Sequence, residues 1–110
     1  MSSVSTHVLD TAHGCPAANV ALQLSTAEGA LLFSGATNAD GRCPDLPALE
    51  KGRYRIAFHV ADYFRAKGIV LPDPPFLDVV TIDFGVAEDG GHYHVPLLVS
   101  PYAYSTYRGS

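Results

Sequence analysis

The sequence predicts an all-β fold, an antiparallel β-sandwich of seven or eight short strands with one short helix. Three observations favour it. Apolar and polar residues alternate with a period of two along most segments, as in strands that bury one face. Turn signals rich in Gly, Pro, Asn and Asp separate these segments. The chain has 110 residues, 47% of them hydrophobic, so we expect one packed domain over residues 1–110.

Three strands separated by turns are predicted in the first part of the chain. Val4, Thr6 and Val8 share one face of the first strand. After the turn "HGCPAAN", the stretch "VALQL" repeats the alternation, and "ALLFSGAT" forms the next strand beyond the turn "TAEG". "NADGR" closes this part, because an Asp-Gly pair favours the positive φ of a tight turn.

The second part of the chain contains the predicted helix. From Arg53 to Val60 apolar residues alternate cleanly with arginine and histidine, which predicts a strand. "ADYFRAK" follows as a helix of about two turns, and Gly68 ends it as the residue after the C-cap. The proline-rich "LPDPPF" is a loop. Strands are then predicted in "FLDVVTIDF" and "HYHVPLLVS", with the turn "AEDGG" between them, and a final short strand runs from Tyr102 to Tyr104.

Composition argues against several classes of protein. The net charge is -4 and the seven Lys and Arg residues are scattered, whereas a nucleic-acid binder concentrates basic charge on one face. Every apolar run is broken well before the roughly 18 residues that span a bilayer, so we expect no membrane segment. The N-terminus lacks the features of a secretory signal, and two cysteines do not make a disulfide framework. We therefore expect a soluble cytoplasmic protein.

Three histidines lie on outward faces of two predicted strands. In "HYHVPLLVS" the apolar residues alternate with His92 and His94, which therefore both project from the other face, and His7 points away from the apolar face of the first strand. Leu9 and Leu98 share these outward faces and suit a covered surface better than an open one. This combination favours an interface between subunits that encloses a polar pocket.

The residues alone leave alternatives open for these side chains. Exposed histidines often have no role, and Arg42 after the "NADG" turn is either a solvated loop residue or a neighbour of a strand end. His7, His92 and His94 could bind zinc, but no Asp, Glu or Cys lies beside them in the sequence. No nucleophile elbow, P-loop, dinucleotide or metalloprotease motif is present. The sequence so far predicts a β-sandwich with a histidine-arginine site.

Several motifs carry a resemblance that spans nearly the whole chain. These are "STHVLDTAHGCPA", "TNADGR", "GRYRIAFHVADYF" and "HYHVPLLVSPYAYSTYRGS". Together they resemble the 5-hydroxyisourate hydrolase branch of the transthyretin-like family. The terminal "YRGS" is the most specific motif, because transthyretins proper lack it. The resemblance implies a transthyretin-like sandwich, a dimer of dimers with sites in the channel between dimers, and hydrolysis of the small molecule 5-hydroxyisourate in urate degradation without cofactor or metal.

The resemblance also implies roles for residues of this chain. Catalytic roles fall on His7, Arg42, His94 and Ser110. Substrate binding falls on His7, Arg42, His92, Tyr107, Arg108, Gly109 and Ser110. The alternative is a transthyretin-like carrier of a small ligand, but a carrier channel should be apolar and lack the terminal motif.

Overall fold

A computed structural model describes residues 1–109, which form eight strands and one helix; Ser110 lies outside the described residues. In chain order the elements are β1 (Ser3–Asp10), β2 (Cys15–Pro16), β3 (Ala21–Thr26), β4 (Leu31–Ala36), β5 (Gly52–His59), α1 (Val60–Ala66), β6 (Val79–Val86), β7 (His92–Val99) and β8 (Tyr104–Ser105).

The strands form two sheets of four, which confirms the predicted β-sandwich. The first sheet has the order β2-β1-β7-β8 and the second has the order β4-β3-β5-β6. All pairs between the described strands are antiparallel except β1 with β7, which is parallel. This one departure is possible because a long stretch of chain separates β1 from β7, so no hairpin dictates their direction.

The core lies between the inward faces of the two sheets. On β1, Val4, Thr6 and Val8 are buried as the alternation predicted, while the residues between them face outward and are more exposed. Strands β3, β5 and β6 follow the same rule, whereas β4 and β8 bury no residue and β7 buries three in a row from Val95 to Leu97. Completely buried side chains of the core include Leu22, Leu24, Ile56, Phe58, Phe64 and Leu97.

The helix is confirmed, with small shifts at its borders. It begins at Val60, which the alternation had placed in the preceding strand, and Gly68 follows the C-cap with a φ of 85°. Within residues 1–109 no helix is long and apolar enough to cross a membrane.

The strand β2 lies within the stretch that was predicted as the turn "HGCPAAN", and two strands begin two or three residues later than predicted. β6 begins at Val79 rather than Phe76, because the proline-rich loop continues to Asp78, whose carbonyl accepts a hydrogen bond from Ala61 N–H at 3.1 Å. The last strand covers Tyr104–Ser105 rather than Tyr102 to Tyr104. A turn closed by the 2.8 Å bond from Ser100 N–H to the Ala103 carbonyl comes first, so pairing can start only after it.

The end of β1 is fixed to the helix by the buried carboxylate of Asp10. It accepts hydrogen bonds from the Tyr63 hydroxyl at 2.7 Å and from the Ala12 and His13 N–H groups, and the His13 ring lies 2.5 Å away. Burial by itself raises the pKa of Asp10, but the hydrogen bonds from Tyr63 and His13 outweigh it, and the pKa lies below the ordinary 3.8. The carboxylate therefore stays charged and holds β1, the strand that carries His7.

We expect Tyr63→Phe to lower the free energy of unfolding by about 1–3 kcal/mol, because it takes one donor from a buried carboxylate. Urea unfolding at pH 7 measures this, with the exposed Tyr102→Phe as the control. Because the folded pKa of Asp10 is lowered, its contribution is present above the unfolded pKa near 3.8 and is lost as the pH falls through the folded pKa. The difference between variant and wild type should therefore shrink below about pH 4; equal stability at pH 7 would contradict the role of Asp10.

Candidate functional site

Backbone pairing on the first sheet brings the predicted site residues into one region. Parallel register places Ser5 opposite His94 and Ser3 opposite His92. Single bridges outside the named strands pair His7 with Arg42 and His94 with Gly109. Four chain segments thus lie side by side: the turn with Arg42, then β1, then β7, then the C-terminal tail, by which we mean residues 106–109.

The turn before Arg42 has the geometry that its Asp-Gly pair predicted. Asn38 organises it, since its side-chain oxygen accepts the Asp40 and Arg42 N–H groups at 3.0 and 3.1 Å. Gly41 has a φ of 75°, and its carbonyl accepts the Val8 N–H at 2.8 Å, so the turn lies directly against β1. A side chain at position 41 would also meet the Val8 carbonyl. The turn therefore places Arg42 beside His7, with which it pairs through the backbone.

His94 is the half-buried histidine of the site. Its Nδ1 lies 2.7 Å from the Ser5 hydroxyl oxygen. Burial lowers the pKa of the His94 imidazole below the ordinary 6.5, and the positive charges of Arg42, His7 and His92 lower it further. The ring is therefore neutral at neutral pH and able to accept a proton. His7, two residues further along β1 than Ser5, is its diagonal neighbour on the same face.

His92 has a different environment, because it is exposed and held by two serines. Its Nδ1 lies 2.5 Å from the Ser3 hydroxyl oxygen and its Nε2 lies 3.0 Å from that of Ser5. Both ring nitrogens are thus at hydrogen-bond distance from a side chain of β1. Among the described residues, no three His, Cys, Asp or Glu side chains are grouped closely enough to hold a metal ion.

The tail lies along the β7 edge that β8 leaves uncovered. Thr106 donates its hydroxyl to the Pro96 carbonyl at 2.7 Å, and Gly109 N–H donates to the His94 carbonyl at 2.9 Å. The Arg108 guanidinium donates to the His92 carbonyl at 3.2 Å and stacks 4.2 Å from the centre of the Tyr93 ring. Arg108 therefore anchors the tail, whereas the Tyr107 side chain is 61% exposed.

Gly109 packs directly on the His94 ring. A Cβ at position 109 would lie 3.0 Å from the His94 Cγ and closer still to its Cδ2. Only glycine allows this approach, which explains the residue type at this position. The sequence argument assigned Gly109 to substrate binding through the resemblance, but the spatial reason for a glycine there appears only in the structure.

Ser5 is the site residue that sequence reasoning missed. It lies on the outward face of β1, opposite the face that Val4, Thr6 and Val8 were predicted to share, and the sequence assigned no role to it. Its hydroxyl lies between His92 and His94, and this follows from the register of β1 against β7, which no local pattern gives.

A cavity of about 360 Å³ lies beside the tail, at the edge of the sandwich. Its walls include the inward-facing Tyr93 and Val95 together with Ile82 and Phe84 of β6. His94, Tyr107 and Arg108 also line it, whereas His7 and Arg42 do not, so the cavity adjoins the outward face where His7, Arg42 and His94 meet only through His94 and the tail. In a single chain that region is an open sheet face rather than an enclosed pocket.

Comparison with known proteins identifies the family. The model of the HIUase/Transthyretin family matches residues 4–109, almost the whole chain. The chain belongs to this family. The resemblance seen in its sequence motifs is thereby confirmed.

Individual members of the HIUase/transthyretin family show the same similarity. The 5-hydroxyisourate hydrolase of Ralstonia nicotianae is 53% identical over 117 residues that cover 100% of each chain. The structure of the Klebsiella pneumoniae 5-hydroxyisourate hydrolase matches with a TM-score of 0.86 at 38% identity, over 100% of each chain. Sea bream transthyretin in complex with thyroxine matches with a TM-score of 0.85 at 32% identity, over 96% of this chain and 93% of that chain. The predicted transthyretin-like sandwich is confirmed.

Proposed function

We propose that this protein hydrolyses 5-hydroxyisourate to 2-oxo-4-hydroxy-4-carboxy-5-ureidoimidazoline, a step of urate degradation. The observation that carries the proposal is the position of the His94 imidazole, which shares a sheet face with His7, the partner of Arg42, and contacts the tail at Gly109. Burial, which lowers the pKa of His94, fits this role. Similarity supports it, because full-length relatives about 50% identical are 5-hydroxyisourate hydrolases.

His94 acts as the general base in this scheme. Water is a poor nucleophile at neutral pH, and attack on a lactam carbonyl requires removal of one of its protons. An imidazole with a lowered pKa is in its basic form at pH 7, so the ring accepts that proton without first losing one. Its half-buried position, with the tail at one side, limits the directions from which water reaches it.

Arg42 and His7 stabilise the charge that attack creates. The carbonyl oxygen becomes negative as water adds, and fixed donors aimed at it lower the barrier. The planar guanidinium of Arg42 presents two parallel donors that match the carbonyl and imide edges of the ring. His7, paired with Arg42 through the backbone, binds the same substrate and protonates the leaving nitrogen.

The tail completes the substrate pocket. Tyr107 offers its hydroxyl to the substrate and Gly109 keeps the chain close to His94. We also assign a hydrogen-bonding role to Ser110, which lies outside the described residues. The scheme uses protein groups alone, and no step in it calls for a metal or cofactor.

We further propose that the active form is a homotetramer, a dimer of dimers that closes the site. The outward face of the first sheet carries Leu9 and Leu98, which lie opposite each other in register and are half-buried in the single chain. The polar residues described above share that face, and a substrate pocket needs walls that an open sheet lacks. A second copy of the chain over this face would supply them.

The proposal is tested by adding purified protein to freshly generated 5-hydroxyisourate and following the decay of its absorbance. We expect saturable acceleration over the spontaneous decay, and the same rate after treatment of the protein with a strong chelator. No acceleration would overturn the proposed reaction, and a rate that chelator abolishes and zinc restores would overturn the metal-free scheme. Tight binding of a small aromatic ligand without turnover would instead favour the carrier, although charged groups beside the face argue against it.

A further inference from the structure

A continuous chain of hydrogen-bonding groups runs along the outward face of the first sheet. It links the Ser3 hydroxyl to His92 Nδ1 at 2.5 Å, then His92 Nε2 to the Ser5 hydroxyl at 3.0 Å. The Ser5 hydroxyl in turn lies 2.7 Å from His94 Nδ1. The side chains alternate between β1 and β7, because the parallel register sets each serine opposite a histidine.

The number of protons available constrains this chain. A serine hydroxyl has one proton to donate, whereas Ser5 lies between two ring nitrogens. When both rings are neutral, Ser5 therefore donates to one histidine and accepts an N–H from the other. Each arrangement fixes the tautomer of both histidines together. One converts into the other when His94 Nε2 gains a proton, each proton between the rings moves along its bond, and His92 Nδ1 loses a proton.

We propose that Ser3, His92, Ser5 and His94 form a proton relay that connects His94 to solvent, with Ser5 as the residue that sets the tautomer of His94. This inference rests on the proposed hydrolysis. It also gives His92 a function other than the substrate contact that the resemblance implied, because both of its ring nitrogens already face serine hydroxyls.

The proton count of the reaction gives the relay a task. Opening a neutral cyclic amide with water yields a carboxylic acid and a ureido nitrogen, and the acid ionises at neutral pH because carboxyl groups titrate near 4. Each turnover therefore releases one proton to solvent. In the resting state His94 carries its proton on Nδ1 and donates it to Ser5, which leaves Nε2 free to accept a proton from the attacking water.

The proton is then transferred from His94 to His92 through Ser5. Once Nε2 has taken a proton, His94 passes its Nδ1 proton to the Ser5 oxygen while Ser5 gives its own proton to His92 Nε2. The imidazolium formed on exposed His92 releases its Nδ1 proton to solvent, directly or through Ser3. The positive charge thus moves from the half-buried ring to the exposed one while substrate is bound, and the proton of the new carboxylic acid replaces the one that His7 gave to the leaving nitrogen. After the product leaves, His94 gives its Nε2 proton to water, each proton of the relay moves back along its bond, and His92 Nδ1 takes up a proton from solvent. The net release is one proton per turnover, and the resting tautomers are restored.

The position of the relay suits an exit to water. Ser3 and His92 pair at one end of the β1 and β7 strands, whereas Leu9 and Leu98 pair near the other end. A second copy seated on the two leucines would therefore leave the His92 end at the rim. The titratable and charged groups that face His94 are His92 on its own strand, His7 on β1 and Arg42 on the turn, and each lowers the pKa of His94, so a positive charge on His94 is disfavoured. Arg108 of the tail contacts the His92 carbonyl.

The tautomer is measured without substrate, by ¹⁵N NMR of the histidine side chains at pH 7.5. We expect the wild-type His94 to show one neutral tautomer with the proton on Nδ1, and Ser5→Ala to show a mixture. Ser5→Thr, which keeps the hydroxyl, should restore the wild-type pattern. Identical nitrogen shifts in wild type and Ser5→Ala would overturn the role of Ser5.

Turnover provides the second measurement. Ser5→Ala should lower kcat on the order of 10- to 100-fold with little change in KM, the range seen when a group that orients a functional histidine is removed. Ser25→Ala is the matched control, since Ser25 is a half-buried outward serine on β3 of the other sheet and should leave turnover unchanged. Equal losses in both variants would indicate a general effect on the sheet and overturn the proposal.

His92→Ala separates a relay from a purely structural contact. Without the exit group, kcat should fall and then rise with the concentration of imidazole buffer, which carries the proton instead, while the wild-type kcat stays independent of buffer. If the kcat of His92→Ala did not depend on the imidazole concentration, the relay would be contradicted. If the wild type does not hydrolyse 5-hydroxyisourate at all, the proposed function fails, whereas the NMR comparison still decides the role of Ser5.

Discussion

Replacing His94 by alanine is expected to lower kcat on the order of 10²–10⁴-fold, the usual cost of losing a positioned acid or base. We expect no other group to take over, because His92 is held by Ser3 and Ser5, and His7 is paired with Arg42. The protein stays folded, since the imidazole projects from the outward face and not into the core. Circular dichroism and steady-state kinetics on the same preparation measure both properties.

The pH profile of the wild type tests the same assignment. His94 is active as the neutral base, so activity falls as the pH drops through its pKa. Burial, followed by the charges of Arg42, His7 and His92, places that pKa below 6.5, and the plateau of kcat/KM should therefore extend below pH 6.5. The matched control is His59→Ala, a half-buried histidine of the other sheet that bonds to Gln23 at 2.6 Å. If that variant lost as much activity as His94→Ala, the base would have to lie elsewhere.

Local alternation was enough to predict which residues of each strand face the core. On β1 the inward Val4, Thr6 and Val8 were identified, because a period of two is a property of neighbouring residues and needs no knowledge of the partner strand. The buried Asp10 at the end of the same strand was not identified. The parallel pairing of β1 with β7 could not be predicted this way. It depends on contacts between residues almost ninety positions apart in the chain, for which alternation carries no signal.

In the candidate site, too, local features were predictable from the sequence and long-range contacts were not. His7 and His94 were recognised as histidines on outward strand faces, and the Asp-Gly turn indicated that Arg42 follows a sharp reversal. The sequence did not show that Arg42 pairs with His7 or that Ser5 lies between two histidines. Both contacts depend on which chain segments pair in the folded protein. Gly109 is similar: in the sequence it is one glycine among ten, and only its contact with the His94 ring shows why a larger residue is excluded.

The second large effect is expected from Gly109→Ala. The added methyl group would overlap the His94 ring, so either the tail moves away or the ring turns. Either change breaks the 2.9 Å bond from Gly109 N–H to the His94 carbonyl or misplaces the base. A displacement of about 1 Å in a catalytic group can cost 10²-fold, and we expect kcat/KM to fall by roughly that factor. Steady-state kinetics measure it, and urea unfolding should show little change because the tail lies outside the core.

The control for this substitution is Gly85→Ala on β6. A Cβ at position 85 meets nothing within 4 Å and the residue has no positive φ, so the same added methyl group has no neighbour to displace. Turnover of Gly85→Ala should match the wild type.

Deleting Tyr107 to Ser110 should reduce activity at least as much as Gly109→Ala, since it removes the anchor at Arg108 as well as the contact with His94. A chain end without a role tolerates such a loss. Wild-type turnover in the truncated protein would therefore show that the tail does not form part of the site. A normal rate in Gly109→Ala would show that the close contact between Gly109 and the His94 ring has no catalytic consequence.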